Sequence, residues 1–279
     1  MTAGANVPLS PFILVKGAGE MASAVAWRLY MANIRRICML DLDNPLCVRR
    51  QVSFCTALAS DAAVVEGVRA VAARHWSGVE AAWKTRHIAV MRTTDWERIE
   101  TPGPDVVIDA ILAKRNLGTR KDEAALVIAL GPGFEAGGDC HLVIETNRGH
   151  DLGRIIVSGS AEPNTGIPGD IAGHAGERVL RSPAPGTFRT QRGIGDRVRT
   201  NDVVGHVAGH PVTARLDGIL RGLIRSGTTV TPGLKLGDID PRGNEAYCHT
   251  LSDKARAIAG AVLEGVMRYC NLPADPTRC

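Results

Sequence analysis

Aromatic residues are scarce in this chain: Phe, Trp and Tyr make up 4% of its 279 residues, whereas hydrophobic residues of all kinds reach 44%. A core is therefore affordable only from Val, Ile, Leu and Ala. Basic runs and aromatic-basic alternation are also missing, which excludes the usual nucleic-acid surface. Of the 33 basic residues only six are Lys, and the net charge is +4. The Arg excess suits bidentate contacts with phosphate or carboxylate, although GC-rich coding would give the same bias. The seven cysteines (38, 47, 55, 140, 248, 270 and 279) include no C-x-x-C pair and are odd in number. That speaks against a disulfide framework or a zinc ribbon and fits a reducing, cytoplasmic setting. The start, "MTAGANVPLSP", has neither the basic nor the apolar region of a signal peptide. No apolar run approaches the roughly 18 residues of a membrane span. The length suggests two domains, or one domain with a module attached.

What is present begins with a βαβ order. Phe12 to Lys16 reads as a buried strand, Glu20 to Met31 as an amphipathic helix, and Ile37 to Leu40 as a second strand. The pattern then blurs. "HWSGVEAAWKTRH" reads as helical and Ile88 to Met91 as a strand. Asp105 to Leu112, Ala125 to Leu130, "HLVIET" and "GRIIVSG" read as further strands, short, β-rich and bounded by Gly or Pro. Near Arg181 helical periodicity stops and a repeat with a shift of 32 appears: Gly186 falls on Gly218, Phe188 on Leu220, Gly195 on Gly227, Val198 on Val230, Gly205 on Gly237 and Val207 on Ile239. Two similar β halves suggest a small sandwich with internal two-fold symmetry. Ser252 to Tyr269 closes the sequence as an amphipathic helix that Ser252 or Asp253 can cap. The expected fold is α/β: a Rossmann-like parallel sheet over 11–180, an all-β barrel-sandwich-like module over 181–245, and a C-terminal helix over 250–270.

"GAGEMA" fits G-x-G-x-x-A with Gly17, Gly19 and Ala22. The first glycine permits the tight turn, the second lets a phosphate approach, and the small third residue lets helix and strand pack. Glu20 and Met21 open the helix whose N-terminus would face the phosphate. Asp41 and Asp43 follow Gly17 by 24 and 26 residues, where an acid would take a ribose hydroxyl. The same turn serves equally as a ligand-free strand-to-helix corner, and Glu20 stands beside the expected pyrophosphate.

Three further clusters carry candidate chemistry. Asp109 lies in an apolar strand and needs a partner; Lys114, Arg115 and Asn116 follow it, to neutralise it or to hold an anionic ligand at the strand's end. Gly131 and Gly133 form a second glycine turn after a buried strand. Cys140, His141, Glu145, Arg148 and His150 fall within 11 residues. On a strand, His141 and Glu145 share one face, as a structural pair or as catalytic groups with Arg148 and His150 on the ligand; the spacing matches no familiar metal motif, and no metal is assigned. "GSAEPNTGIPGDIAGH", with Asn164 and Thr165, reads as a shaped loop.

The motifs "VKGAGEMASAVAWRL", "NPLCVRRQVSF", "VEGV", "DVVIDAILAKRN", "ALGPGFEAGGDCHLVIETNRGHDLGR", "GSAEPNTGIPG" and "RVLRSPAPGTF" occur in this order between residues 15 and 188. Together they resemble the YqeB-type family, accessory proteins of selenium-dependent molybdenum hydroxylase systems. Family members usually carry Asp where Glu20 stands and Glu near Asp41. The resemblance implies a pathway rather than a reaction: maturation of a molybdenum hydroxylase apo-enzyme as partner, with a nucleotide-bearing cofactor such as the dinucleotide form of molybdopterin. An NAD(P)-dependent oxidoreductase is an alternative, without an evident hydride-transfer constellation. A non-catalytic binding protein with structural glycine turns is another. The repeat also resembles biotinyl/lipoyl-type carriers, but its hairpin "HVAGHPVTA" has no Lys, so neither lipoate nor biotin is expected. The oligomeric state stays open, a homo-oligomer included.

Overall fold

The computed structural model describes residues 10–166 and 169–271. The N-terminal segment up to residue 9, part of the loop after Gly159, and Cys279 lie outside them. The apolar runs form strands β1 (Ile13–Lys16), β2 (Ile37–Asp41), β3 (Ala62–Val65), β4 (Val68–Ala72), β5 (Ile88–Arg92), β6 (Val106–Asp109), β7 (Leu126–Leu130), β8 (Leu142–Ile144) and β9 (Ile155–Ile156). They build one sheet in the order β3-β4-β5-β2-β1-β6-β7-β8-β9. The interior from β4 to β8 is parallel, while β3 and β9 pair antiparallel at the two edges. "VEGV" is the β3–β4 corner: Glu66 and Gly67 have φ of 43° and 81°, the two positive values of a type I′ hairpin turn.

Helices are α1 (Glu20–Met31), α2 (Ala57–Ser60), α3 (Trp76–Lys84), α4 (Thr93–Trp96), α5 (Ala246–His249) and α6 (Asp253–Cys270). The amphipathic stripes decide where the long ones lie. α6 buries Ile258, Val262 and Val266, each contributing about 1.5–3 kcal/mol, and packs beside α1 in one core layer. Gly265 lets it approach closely: an added Cβ would stand 3.0 Å from Leu142 and 3.2 Å from Ile128. The scarce aromatics are concentrated in the other layer. There Phe12 meets Trp76, Trp83 and Trp96 at ring-centroid distances of 5.5, 5.2 and 6.4 Å, a range in which tilted pairs attract.

The β-rich part holds β10 (Val179–Arg181), β11 (Gly186–Arg189), β12 (Arg197–Val198), β13 (Val203–Val207), β14 (His210–Thr213), β15 (Gly218–Leu223), β16 (Thr229–Val230) and β17 (Lys235–Asp240). Two four-stranded sheets form, β10-β17-β15-β12 and β14-β13-β11-β16. Positions related by the 32-residue shift fall on equivalent strands, with Gly195 and Gly227 in equivalent turns, and Phe188, Leu220, Val198, Val230, Val207 and Ile239 are all buried. The halves exchange edges: β11 pairs with β16 and β12 with β15.

The loop after β2 docks onto this part. Leu223 N–H donates to the Val48 carbonyl at 2.8 Å, and Arg50 Nε donates to the Leu223 carbonyl at 2.7 Å. Gly222 makes room, since an added Cβ would lie 2.8 Å from Val48 Cγ1 and 3.0 Å from its carbonyl oxygen.

The fold expected from sequence needs correction. The sheet is mixed, not a Rossmann-like parallel sheet. No α-helix covers the crossovers from β6 to β7 or from β7 to β8; a short 3-10 turn and irregular loops replace them. α6 supplies the missing cover from the far end of the sequence, so it belongs to the sheet's core instead of trailing a separate module. The segment between β6 and β7 carries no 3.6-residue apolar period, which is why no helix forms there.

Candidate functional site

The sheet's neighbours change direction around β1, with β2 on one side and β6 on the other. Loops leaving the C-terminal ends of these parallel strands splay apart there, the place where open α/β sheets take ligands. A cavity of about 660 Å³ occupies it, a size that suits a small cofactor. Its wall comes from Gly19–Met21, the loop Leu46–Arg49, Leu112 and Lys114, Pro132, Thr146–Arg148 and Glu162–Thr165. The rest is built by Arg178, Arg221, Lys235 and the start of α6 at Ser252 and Lys254.

The glycine turn is held from within. Gly17 has φ 95° and donates its N–H to Leu40 at 2.7 Å; a Cβ there would lie 3.0 Å from the Ala110 carbonyl oxygen. Asp41, expected on a ribose, accepts instead from Ala18 N–H and Leu42 N–H, each at 2.8 Å, one on each oxygen. Burial outweighs these bonds and raises its carboxyl above the ordinary range. Glu20 stands in the first turn of α1, where its charge suits the helix N-terminus. It accepts from Arg49 at 3.4 Å and from Ser252 at 3.1 Å. A phosphate at this turn would have to displace that carboxylate. Gly19 itself is open, with nothing within 4 Å of an added Cβ, and Met21 packs against the core beside the cavity.

The other acids also shape loops. Asp109, 2% exposed, accepts from Thr119 Oγ1 at 2.7 Å and Ile111 N–H at 3.1 Å, so its partner is not Lys114, Arg115 or Asn116. Lys16 completes that cluster, donating to Thr119 at 2.8 Å and pairing with Glu123 at 2.6 Å. Asn116 folds its own loop by accepting from Gly118 and Thr119 N–H. Glu145 accepts Asn147 N–H at 2.6 Å and Glu162 N–H at 2.7 Å, again one on each oxygen. Gly131 and Gly133 have positive φ, and added Cβ atoms would fall 2.4 Å from Thr146 Oγ1 and 2.5 Å from Arg115 Cα. Close packing of the chain on itself therefore accounts for both glycines.

The expected pairing of His141 with Glu145 does not form. Parallel pairing puts His141 before β8, at the N-terminal end of the sheet, where its Nδ1 accepts Val127 N–H at 3.0 Å. Glu145 follows β8 at the opposite end. His150 and Arg115 are exposed and do not line the cavity. Among the described residues no group of three His, Cys, Asp or Glu side chains is placed to hold a metal ion.

What the cavity does gather is positive charge. Arg49, Lys114, Arg148, Arg178, Arg221, Lys235 and Lys254 line it, against Glu20 and Glu162. Some of this charge is neutralised from behind. Arg148 forms a bidentate pair with Asp253 at 2.7 and 2.9 Å. Arg178 and Arg221 share Asp238, and Arg221 is aimed by a register shift in β15. Yet Arg49 and Arg178, each 5% exposed, keep a buried Nε with no hydrogen-bond partner. Lys114 and Lys254 make no ion pair or side-chain hydrogen bond among the described residues. Desolvation lowers both amines below the ordinary lysine value. For Lys254 the nearby charges of Lys114 and Arg148 add to this. Lys114 also sits in left-handed backbone, φ 63°, as does Leu112 at 60°, a conformation costing about 1–3 kcal/mol each and typical of sites that hold strain for a purpose. Sequence reasoning missed Arg49, Arg178, Arg221, Lys235 and Lys254. Only Lys254 left a signal: a cation in the first turn of a helix opposes the helix dipole.

No family model matches the chain. It is 48% identical over 268 residues to the uncharacterized protein YqeB of Escherichia coli (strain K12), covering 95% of this chain and 49% of that protein. The chain thus spans about half the length of the curated relative it matches, and the match supports its assignment to the YqeB-type family. Among solved structures, it resembles the succinylglutamate desuccinylase/aspartoacylase of Rhodobacter sphaeroides at 21% identity, over 30% of this chain and 29% of that one, with TM-score 0.22. An aspartoacylase family protein from Mesorhizobium loti aligns at 14% identity over 82% and 84%, with TM-score 0.24. Likenesses this low carry no argument about function.

Proposed function

We propose that this chain is a maturation factor for molybdenum hydroxylases that holds an anionic, nucleotide-bearing cofactor in the cationic cavity. The YqeB-type resemblance supports the pathway. The observation that carries the ligand class is the set of cations lining the cavity, of which Lys114 and Lys254 make no ion pair or side-chain hydrogen bond among the described residues. A phosphate-bearing ligand in the cavity would meet these two amines with charge-assisted hydrogen bonds. In this reading the phosphates lie toward the lysines and away from the α1 N-terminus, which Glu20 fills. A nicotinamide oxidoreductase has less support, because both Asp41 oxygens are engaged by backbone.

Calorimetric titration with pyrophosphate, CTP, NADH and the dinucleotide form of molybdopterin tests the proposal. Binding of pyrophosphate and the molybdopterin dinucleotide is expected, with Lys114→Ala and Lys254→Ala each weakening it by about tenfold or more, as for a lost charge-assisted hydrogen bond. If neither lysine variant changes affinity, or none of these anions binds, the proposal fails.

A further inference from the structure

A second cavity of about 430 Å³ lies against the first, and Arg49, Arg148, Ile171, Arg221 and Ser252 line both. The two differ in chemistry. No aromatic residue lines the first, whereas Tyr247 on α5 lines the second, beside Arg242 and Leu251. In a chain with few aromatic residues this ring stands out: every other Phe, Trp or Tyr among the described residues is buried or half-buried, and Tyr247 is exposed. Its place is nonetheless fixed. The Tyr247 carbonyl accepts from Arg49 Nη2 at 2.9 Å, and its N–H donates to the Asn244 carbonyl at 3.2 Å. The next residue, Cys248, is fully buried against the Leu220 carbonyl of β15.

The Arg242 guanidinium lies over the ring, 4.3 Å from its centroid, close enough for a cation–π contact. Both Asp240 oxygens hold that guanidinium in turn, accepting from Nε at 2.9 Å and Nη2 at 2.7 Å. Ring and guanidinium thus make a flat, preorganised stack, and both members line the cavity. Aromatic rings and guanidinium planes are the surfaces on which heterocyclic bases stack. Leu251 and Ile171 add apolar wall around them.

We propose that the second cavity is a nucleoside subsite, which takes the heterocyclic base of the nucleotide-bearing ligand on the Tyr247–Arg242 stack. The inference rests on the phosphate reading of the first cavity, and it places the end of the ligand that this reading leaves open. Phosphates lie toward Lys114 and Lys254, the base lies on Tyr247, and the link between them passes the arginines common to both cavities.

The test compares pyrophosphate with CDP, which adds a nucleoside to the same diphosphate, by calorimetric titration of the full chain. CDP should bind about tenfold tighter than pyrophosphate, the scale of one base stack. Tyr247→Ala should remove that advantage and leave pyrophosphate affinity within about twofold of wild type; Arg49 bonds the backbone carbonyl of residue 247, so that contact survives the change. Tyr247→Phe keeps the ring and should keep the advantage. If the alanine variant melts early, saturation-transfer NMR on the wild type decides instead: the cytosine protons of bound CDP should be saturated more strongly than its ribose protons. CDP binding no tighter than pyrophosphate, a CDP advantage that survives in Tyr247→Ala, or cytosine protons saturated no more than ribose, would overturn the subsite. If CDP binds and depends on Tyr247 while pyrophosphate fails to bind, the phosphate reading falls and the base subsite stands; if neither binds, both fall.

Discussion

Lys254 sits within reach of the charge of Lys114, and neither amine is paired with a carboxylate. One comes from the loop after β6, the other from the first turn of α6, so the site exists only when the helix has docked on the sheet. The charges of Glu145, and for Lys254 also of Glu20, reach them without forming an ion pair, and an anion bound between the two cations would add to that.

The burial of these amines has a sign in pH. Both lysines have folded-state values below the ordinary 10.5. The folded protein therefore binds fewer protons than the unfolded chain between the lowered values and 10.5, and stability should rise with pH across that window. A bound anion favours the charged amines and takes up protons. Affinity for pyrophosphate should accordingly fall as pH rises through the same window, and the stability rise should flatten when pyrophosphate is present. Denaturant midpoints and titrations between pH 7 and pH 10 check both; an affinity that climbs with pH would contradict the assignment.

Glu145 and His141 should separate cleanly under mutation. Glu145→Ala removes the acceptor of the part-buried N–H groups of Asn147 and Glu162, at about 0.5–1.5 kcal/mol for each lost bond, and a lowered melting temperature is expected. His141→Ala acts at the far end of the sheet and should leave pyrophosphate affinity within about twofold of wild type. A large loss of affinity in His141→Ala with an intact fold would restore the histidine to the site.

Gly222→Val tests the docking of the β-rich part. Its Cβ would press on Val48, an overpacking that typically costs about 1–3 kcal/mol. Because Val48 and Arg49 line the cavity, both the unfolding midpoint and pyrophosphate affinity should drop. Loss of stability with unchanged affinity would show that the loop after β2 keeps its place without the contact.

Local structure was legible where one period dominates. The helix read at Glu20 to Met31 coincides with α1, Ser252 caps α6 through a bond from Ala255 N–H, and the 32-residue shift maps strand on strand. At the sheet's edges β9 was legible as the strand in "GRIIVSG", but β3 and the antiparallel pairing of both edges were not, because these strands are short and their partners are set by turns such as Glu66–Gly67. The site was half legible. Lys114, Arg148, Glu20 and the glycine turn do border the cavity. But Asp41, Asp109 and Glu145, read as site residues, use their oxygens on backbone N–H groups and, for Asp109, on the Thr119 hydroxyl as well. An acid at the end of a buried strand looks the same in sequence whether it holds a ligand or folds its own loop. Arg178, Arg221 and Lys254 were invisible because they reach the cavity only through tertiary docking.

The position of α6 carries a consequence for how the molecule is made. The layer it completes covers β7 and β8 and lies against α1, yet more than a hundred residues separate β8 from α6 in the sequence. During synthesis the first strands emerge with one apolar flank bare and stay so while the whole β-rich segment is still being threaded through the ribosome. Contacts of such long sequence separation form slowly, and domains caught in that state expose surface that chaperones bind. Nascent chains stalled before residue 250 should therefore remain protease-sensitive and chaperone-associated, and release should coincide with emergence of the helix that also brings Lys254 to the cavity.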